Sequence, residues 1–345
     1  MTEECGSEHG CQFKTTHDTP NMTHEKELFI KTPVIRSLSI SELVGHDVFL
    51  KLENLQPSGS FKIRGISNMC QKAVKDRQCT HIYCASGGNA GFATAYVCQQ
   101  LGVPCTIVLP KSTPSFAADK LRQLGAEVEV YGQVWNHANE YAIEQSKKPG
   151  CEYIPPFDHP DLWEGHESII TESAAQLPQK PDVVITSVGG GGLLNGVLQG
   201  MSRVGWEDVP VLAMETVGAD CFNESVKAGK IVTIPDITSV AKCLGSLVVS
   251  QKTFEYYTSG RYIILSELVT DREAVSACLK FADDHRFLVE PACGAALAGV
   301  YSGVIKRLQE TGRLPPSIRT ALVIVCGGAV ISLDLLQQWK SQFSL

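Results

Sequence analysis

No run of apolar residues in this chain of 345 is long enough to cross a bilayer, so no membrane partner is expected. The opening stretch MTEECGSEHGCQFKTTHDTPNMTHEKE is polar and lacks the apolar core of a secretory leader. Lysine and arginine form no block, and the formal net charge is −7, so the positive surface that a nucleic acid would need is missing. Cys-x-x-Cys pairs are absent too. The 13 cysteines are odd in number and irregularly spaced, and Cys84, Cys98, Cys105, Cys278 and Cys326 sit inside apolar runs. That pattern reads as buried free thiols in a reducing compartment rather than as a disulfide framework. Together these absences point to a cytoplasmic protein whose partner is a small molecule.

What is present is a folded composition, 43% apolar and 19% charged. The length exceeds what one core usually organises, which predicts two lobes. Residues 1–28 read as a flexible tail; Cys5, His9, Cys11 and His17 cluster there, but without the spacing of a zinc site. Beyond the tail, short apolar runs alternate with helical periodicity. Strands are predicted at Val48–Leu52, His81–Ala85, Thr106–Leu109, Val128–Tyr131, Val183–Ser187, Val211–Glu215, Tyr262–Leu265 and Leu322–Cys326. Helices are predicted at Ala90–Leu101, Ser115–Gly125, Val134–Gln145, Leu193–Arg203, Asp271–Asp284 and Ala292–Gln309. Such alternation predicts an α/β protein, each lobe a mostly parallel twisted sheet flanked by helices. The Pro-rich stretch YIPPFDHPDLWEGH reads as a crossing between lobes. The expected division is a small lobe over 56–159 and a large lobe from 29–55 plus 160–345.

Three strand–glycine–helix junctions stand out. SVGGGGLLNG (Ser187–Gly196) ends a strand in four glycines before a helix, which lets several N–H groups line one concave side at a helix start: a phosphate cup. It is not the dinucleotide fingerprint, whose third glycine would fall on Leu194 or Asn195, nor a Walker loop. CASGGNAG (Cys84–Gly91) offers the Ser86 hydroxyl, open N–H groups and the Asn89 amide, which suits a carboxylate; an ordinary helix cap by Ser86 or Asn89 is the alternative. VCGGAV (Val325–Val330) is the third. Junctions at strand C-terminal ends converge on one crevice when the strands run parallel. The stretch PSGSFKIRG (Pro57–Gly65) then brings a lysine, Lys62, beside Phe61; Arg64 reads as a surface or lobe-contact residue. A lysine with a phosphate cup, without Walker spacing, points to a Schiff base with pyridoxal 5′-phosphate, and desolvation near Phe61 would favour the neutral amine.

PSGSFKIRG, SGGNAG, VGGGGLLNG, VEPACGAALA and VCGG occur in this order and spacing, and on them the chain resembles the serine dehydratase and serine dehydratase-like group of fold type II pyridoxal phosphate enzymes, over roughly residues 29 to 340. The resemblance implies a tryptophan synthase β-like architecture. It makes Lys62 the Schiff-base lysine and catalytic base, with Phe61 against the cofactor ring and Asn89 on its 3′-oxygen. Gly189, Gly190, Gly191, Gly192 and Leu193 would hold the phosphate, and Cys326 would face the pyridine nitrogen. Ser86, with Gly87, Asn89 and Ala90, would receive the substrate carboxylate. It further implies a monovalent cation such as K⁺ near Gly189, Glu215, Ala219, Leu244 and Ser246; Glu215 could otherwise be a solvated strand-end carboxylate. A homodimer is also implied. Where the dehydratase proper has Ser-Ala-Gly-Asn, this chain has Ser86-Gly87-Gly88-Asn89, which is nearer the dehydratase-like branch and would loosen the carboxylate loop.

The implied chemistry is elimination: L-serine to pyruvate and ammonia, and L-threonine to 2-oxobutanoate and ammonia. A neutral Cys326 thiol cannot keep the ring nitrogen protonated as an aspartate would, which weakens the electron sink and favours prompt elimination over transamination. Cysteine synthase-like β-replacement and serine racemisation use the same lysine and loops; Ser86 could serve a racemase as its second acid. A weakly active cofactor-binding relative is a further alternative. Only about fifteen residues follow CGGAV, too few for an added regulatory domain, so catabolic use is expected. Cys293, in VEPACGAA, reads as a small buried helix residue.

Overall fold

In a computed structural model, residues 28–345 are described. Ten strands form: β1 (Val34–Arg36), β2 (Asp47–Leu52), β3 (His81–Cys84), β4 (Cys105–Leu109), β5 (Glu127–Val130), β6 (Cys151–Tyr153), β7 (Val183–Ser187), β8 (Val211–Thr216), β9 (Ile264–Val269) and β10 (Thr320–Val325). The continuous apolar runs VVITS, VLAMET and TALVIV become β7, β8 and β10, each buried along its whole length, as strands covered on both faces must be. By contrast, EVEV of β5 is largely exposed and charged, which suits an edge strand.

The strands sort into two sheets. One has the order β1-β2-β10-β7-β8-β9, with β1 antiparallel and the rest parallel; the other is all parallel, β5-β4-β3-β6. This is the two-sheet α/β arrangement that the alternation predicts. The C-terminal strand β10 inserts between β2 and β7, with Val325 paired to Leu52 and Val323 to Ile185. The chain segments that leave β2, β10 and β7 therefore emerge side by side at one end of the sheet. The helix Pro291–Tyr301, rich in Ala and Gly and buried at every position, packs on β7, β8 and β10. Its small side chains allow close approach: a Cβ on Gly299 would lie 3.0 Å from Ile185 Cγ2.

Some local expectations change. The strand expected at Tyr262–Leu265 runs Ile264–Val269. The helix expected over Ala292–Gln309 is broken at Gly303, whose φ of 70° is left-handed, so the chain turns and restarts as Val304–Glu310. The short strands β1 and β6 and the helices Pro160–His166 and Ser168–Gln176 carry too little periodicity to be read in advance. All 11 described cysteines are free, and most are buried. Cys5, His9, Cys11 and His17 lie outside the described residues. No helix among those described is long and apolar enough to cross a membrane.

Candidate active site

The lysine stretch is stitched to the loop after β10. Phe61 N–H donates to the Cys326 carbonyl at 3.1 Å, and Gly328 N–H to that of Gly59 at 2.9 Å. Gly59 has a φ of 77°, and a Cβ on Gly327 would come within 2.3 Å of the Gly59 carbonyl oxygen, so only glycine fits this joint. Lys62 then opens the helix Lys62–Asp76. Its ammonium lies 5.4 Å from the Phe61 ring centroid and donates to the Pro156 carbonyl. Burial pulls its pKa down to about 8. Behind Phe61, His166 meets its ring edge-on at 4.9 Å; burial, then the charges of Lys62 and Arg64, hold His166 neutral.

Arg64 is not at the surface. It is fully buried, 2.6 Å from Glu53 and 2.7 Å from Glu172, and Lys51, equally buried, reaches Glu172 at 2.5 Å. Its contact with Glu172 makes it a residue that joins the Lys62 helix to Ser168–Gln176. A lone arginine in a loop gives no sign of its partners when they are far apart in sequence.

The four glycines after β7 form a cradle that Cβ atoms would fill. Added to Gly190, a Cβ would lie 2.3 Å from the Phe157 ring; on Gly191, 2.0 Å from Thr253 Oγ1; on Gly192, 2.4 Å from the Phe157 carbonyl; on Gly189, 3.0 Å from Leu244. Gly191 also has a φ of 97°. Leu193 follows, 7% exposed, in the first turn of the helix Gly192–Arg203. Phe157 and Pro156 belong to the stretch expected to cross between lobes, so that crossing walls the site.

Ser86, Gly87, Gly88 and Asn89 follow β3. Neither Ser86 nor Asn89 caps the helix Asn89–Leu101: its N-cap is Gly88, with no side-chain cap bond. Asn89, buried, instead accepts from Ala329 N–H at 2.7 Å and donates to Glu290 Oε1 at 2.6 Å, its Nδ2 also lying 3.5 Å from Cys243 Sγ. Ser86 stays partly open, its hydroxyl accepting from Gly88 N–H, and Ala90 is buried behind it. Gly87 is more than a loosening of this loop, because a Cβ there would press to 2.7 Å on Thr113.

Cys326, at the end of β10, is buried with its Sγ 3.4 Å from Ser187 Oγ. The neighbouring Cys293, then burial, raise its pKa well above the ordinary thiol range, so the thiol is neutral. Cys293 itself is buried in its helix, as expected. The alternative of a solvated Glu215 fails. This carboxylate is fully buried, accepts from Phe222 N–H at 3.0 Å and Asn223 N–H at 2.7 Å, and burial raises its pKa well above the usual range. Gly189 backs onto Leu244 at the same side of the sheet, Ala219 N–H bonds the Thr216 carbonyl, and Ser246 N–H bonds that of Leu244.

Glu290, Cys243, Phe157 and His166 border the site without having been singled out. Glu290 carried a signal, since it stands inside VEPACGAALA, and Phe157 and His166 stand inside the Pro-rich crossing; Cys243 had none beyond its residue type.

A lysine amine, a run of glycine N–H groups at a helix start, a fixed amide and a neutral thiol suit pyridoxal phosphate, and each glycine is pressed so close to a neighbour that no side chain fits in its place. Comparison with known proteins agrees. A family model described as "Pyridoxal-phosphate dependent enzyme" matches residues 26–327. The chain is 51% identical to a "Serine dehydratase-like" protein of Homo sapiens over 326 residues, 94% of this chain and 98% of the relative. It is 50% identical to an "L-serine dehydratase/L-threonine deaminase" of Mus musculus over 325 residues, with the same two coverages. Among solved structures, a fungal L-serine ammonia-lyase from Rhizomucor miehei superposes with a TM-score of 0.86 at 35% identity, covering 92% of this chain and all of that one.

Proposed function

The chain belongs to the family of pyridoxal-phosphate dependent enzymes, and we propose that within it the protein is a lyase that converts L-serine to pyruvate and ammonia and L-threonine to 2-oxobutanoate and ammonia. The observation that carries this reading is the Lys62 amine on the Pro156 carbonyl, next to the Phe157 against which Gly190 and Gly192 pack, with the Cys326 carbonyl bonded to Phe61 and Asn89 bonded to the same loop at Ala329.

Lys62 would hold the cofactor and later take the substrate α-proton, a task suited to an amine that burial keeps near neutrality. Gly189, Gly190, Gly191, Gly192 and Leu193 would bind the phosphate by their N–H groups at a helix start. Asn89 would donate to the ring's phenolic oxygen, and Phe61 would wall one side of the ring. Ser86, Gly87, Asn89 and Ala90 would take the substrate carboxylate. Bound there, pyridoxal phosphate supplies the electron sink for the α-carbon; the neutral Cys326 leaves that sink weak, which favours loss of the β-hydroxyl over transamination. Buried Glu215 would sit beside a monovalent cation, with carbonyls from Gly189, Ala219, Leu244 and Ser246; its burial with two N–H partners and, among the described residues, no cationic side-chain partner supports that reading. A homodimer is the expected assembly.

The test is an assay of wild type and Lys62→Ala with L-serine and L-threonine, following keto acid, D-serine and the visible absorbance of lysine-bound cofactor. Wild type should yield keto acid, and the variant at least about 1,000-fold less, with no lysine-bound absorbance. Full activity in the variant overturns the assignment, and D-serine as the main product replaces elimination with racemisation.

A further inference from the structure

Glu290 precedes Pro291 and is the N-cap of the helix Pro291–Tyr301, yet its side chain makes no cap hydrogen bond. The carboxylate is directed into the site instead. Only 4% of the residue is exposed, and among the described residues no lysine, arginine or histidine forms a salt bridge with it. Its partners are Asn89 Nδ2, which donates to Oε1 at 2.6 Å, and the Cys243 thiol, 3.3 Å from Oε2. A carboxylate without an ion-pair partner is costly to bury, so one that faces a binding cleft is a candidate for a role there. The loop after β10 is shaped to receive it: a Cβ on Gly328 would fall 2.6 Å from Glu290 Cγ, and Gly328 is bonded to the Lys62 stretch through the Gly59 carbonyl.

The consequence lies in Asn89. Its Oδ1 accepts from Ala329 N–H, and one of its two amide hydrogens goes to Glu290. Flipping the amide would set Nδ2 against an N–H donor and Oδ1 against a carboxylate, two repulsions in place of two bonds. The orientation is therefore locked, and the remaining hydrogen points to the side where Cys243 Sγ, 3.5 Å away, is only a weak acceptor. We propose that Glu290 is a positioning residue, holding the Asn89 amide in the one orientation that offers a hydrogen to the cofactor's phenolic oxygen. This rests on reading the site as a pyridoxal phosphate site.

The experiment measures pyridoxal phosphate affinity and the visible spectrum of the bound cofactor in wild type, Glu290→Met, Glu290→Gln, Asn89→Ala and the Glu290→Met/Asn89→Ala double variant. Met keeps the length of the side chain but cannot accept from Asn89; Gln restores an acceptor without the charge. Glu290→Met should bind about tenfold more weakly with a shifted band, and Glu290→Gln should recover most of both. In the Asn89→Ala background, Glu290→Met should add little, because its effect passes through that amide. A Glu290→Met protein with wild-type affinity and spectrum, or fully additive effects in the double variant, overturns the proposal. Should Glu290→Met fail to fold, Glu290→Ala serves the same comparison. A wild type that binds no cofactor at Lys62 would instead defeat the functional reading itself.

Discussion

Lys62 shows how one residue's chemistry depends on its surroundings. An ordinary lysine titrates near 10.4 and is almost wholly charged at neutral pH. Burial disfavours that charge and brings this amine to about 8, while the thiols and Glu290 around it pull weakly the other way. The neutral fraction at pH 7 is then roughly two-hundredfold larger than for an exposed lysine. Because the neutral amine is the form that attacks an aldehyde, apoprotein should take up pyridoxal phosphate faster as pH rises, with a midpoint near pH 8 and a plateau about one unit above it. Stopped-flow absorbance over pH 6 to 10 measures this. A rate still climbing tenfold per unit at pH 10 would mean an unperturbed lysine. Glu290 is a second residue set by its surroundings: burial carries it up to about 7, with Cys243, Asn89 and Lys62 facing it and moderating the shift.

At the scale of elements, the decisive pieces are the turns that leave the parallel strands. Four successive glycines after β7 are each required by a neighbour that a Cβ would strike, chiefly Phe157 and Thr253. After β8, Glu215 accepts two N–H groups from the start of the helix Cys221–Ala228 but has no cationic side chain in its described salt-bridge surroundings. Its raised pKa means that folding works against its ionisation at neutral pH; protonation, or a cation, relieves the penalty. The penalty disappears below the ordinary carboxylate range, where both folded and unfolded chains carry the proton. Replacing tetramethylammonium with K⁺ at equal ionic strength should therefore raise the melting temperature by a few degrees at pH 8, and less near pH 5. Glu215→Gln should be insensitive to the exchange. A K⁺ effect of the same size in that variant would remove Glu215 from the cation site.

Across the whole molecule, a buried charge network ties distant segments to the lysine helix. Arg64 bonds Glu53 and Glu172, Lys51 bonds Glu172 and the Thr32 carbonyl, and the Thr32 hydroxyl bonds Glu53. Two positive and two negative side chains balance, so removing one leaves an unpaired buried charge. Arg64→Met should lower unfolding stability by about 3–5 kcal/mol in urea titrations. Because Arg64 lies in the first turn of Lys62–Asp76, two residues after Lys62, cofactor retention should fall as well. A stability change under about 1 kcal/mol would show that the network is electrostatically idle.

The chemistry was legible where it is local. Glycine runs after apolar strands, the Asn89 loop and the Lys62 stretch announce themselves through backbone freedom and residue type within a few positions. On those signals the sequence by itself determined the α/β class and the cofactor, and it named candidates for the residues that would hold it. It left Arg64 open between surface and lobe contact and allowed Glu215 to be solvated, because burial depends on what arrives from elsewhere in the chain. Glu290 passed unassigned for the same reason: its partners Asn89 and Cys243 are brought to it by other elements. Only the tertiary structure decided these neighbours. Inserting β10 between β2 and β7 sets the Lys62 stretch, the Cys326 loop and the glycine cradle side by side, and the second sheet delivers Asn89 across them. Sheet order is a long-range packing outcome, and no stretch of sequence short enough to read by its periodicity contains it.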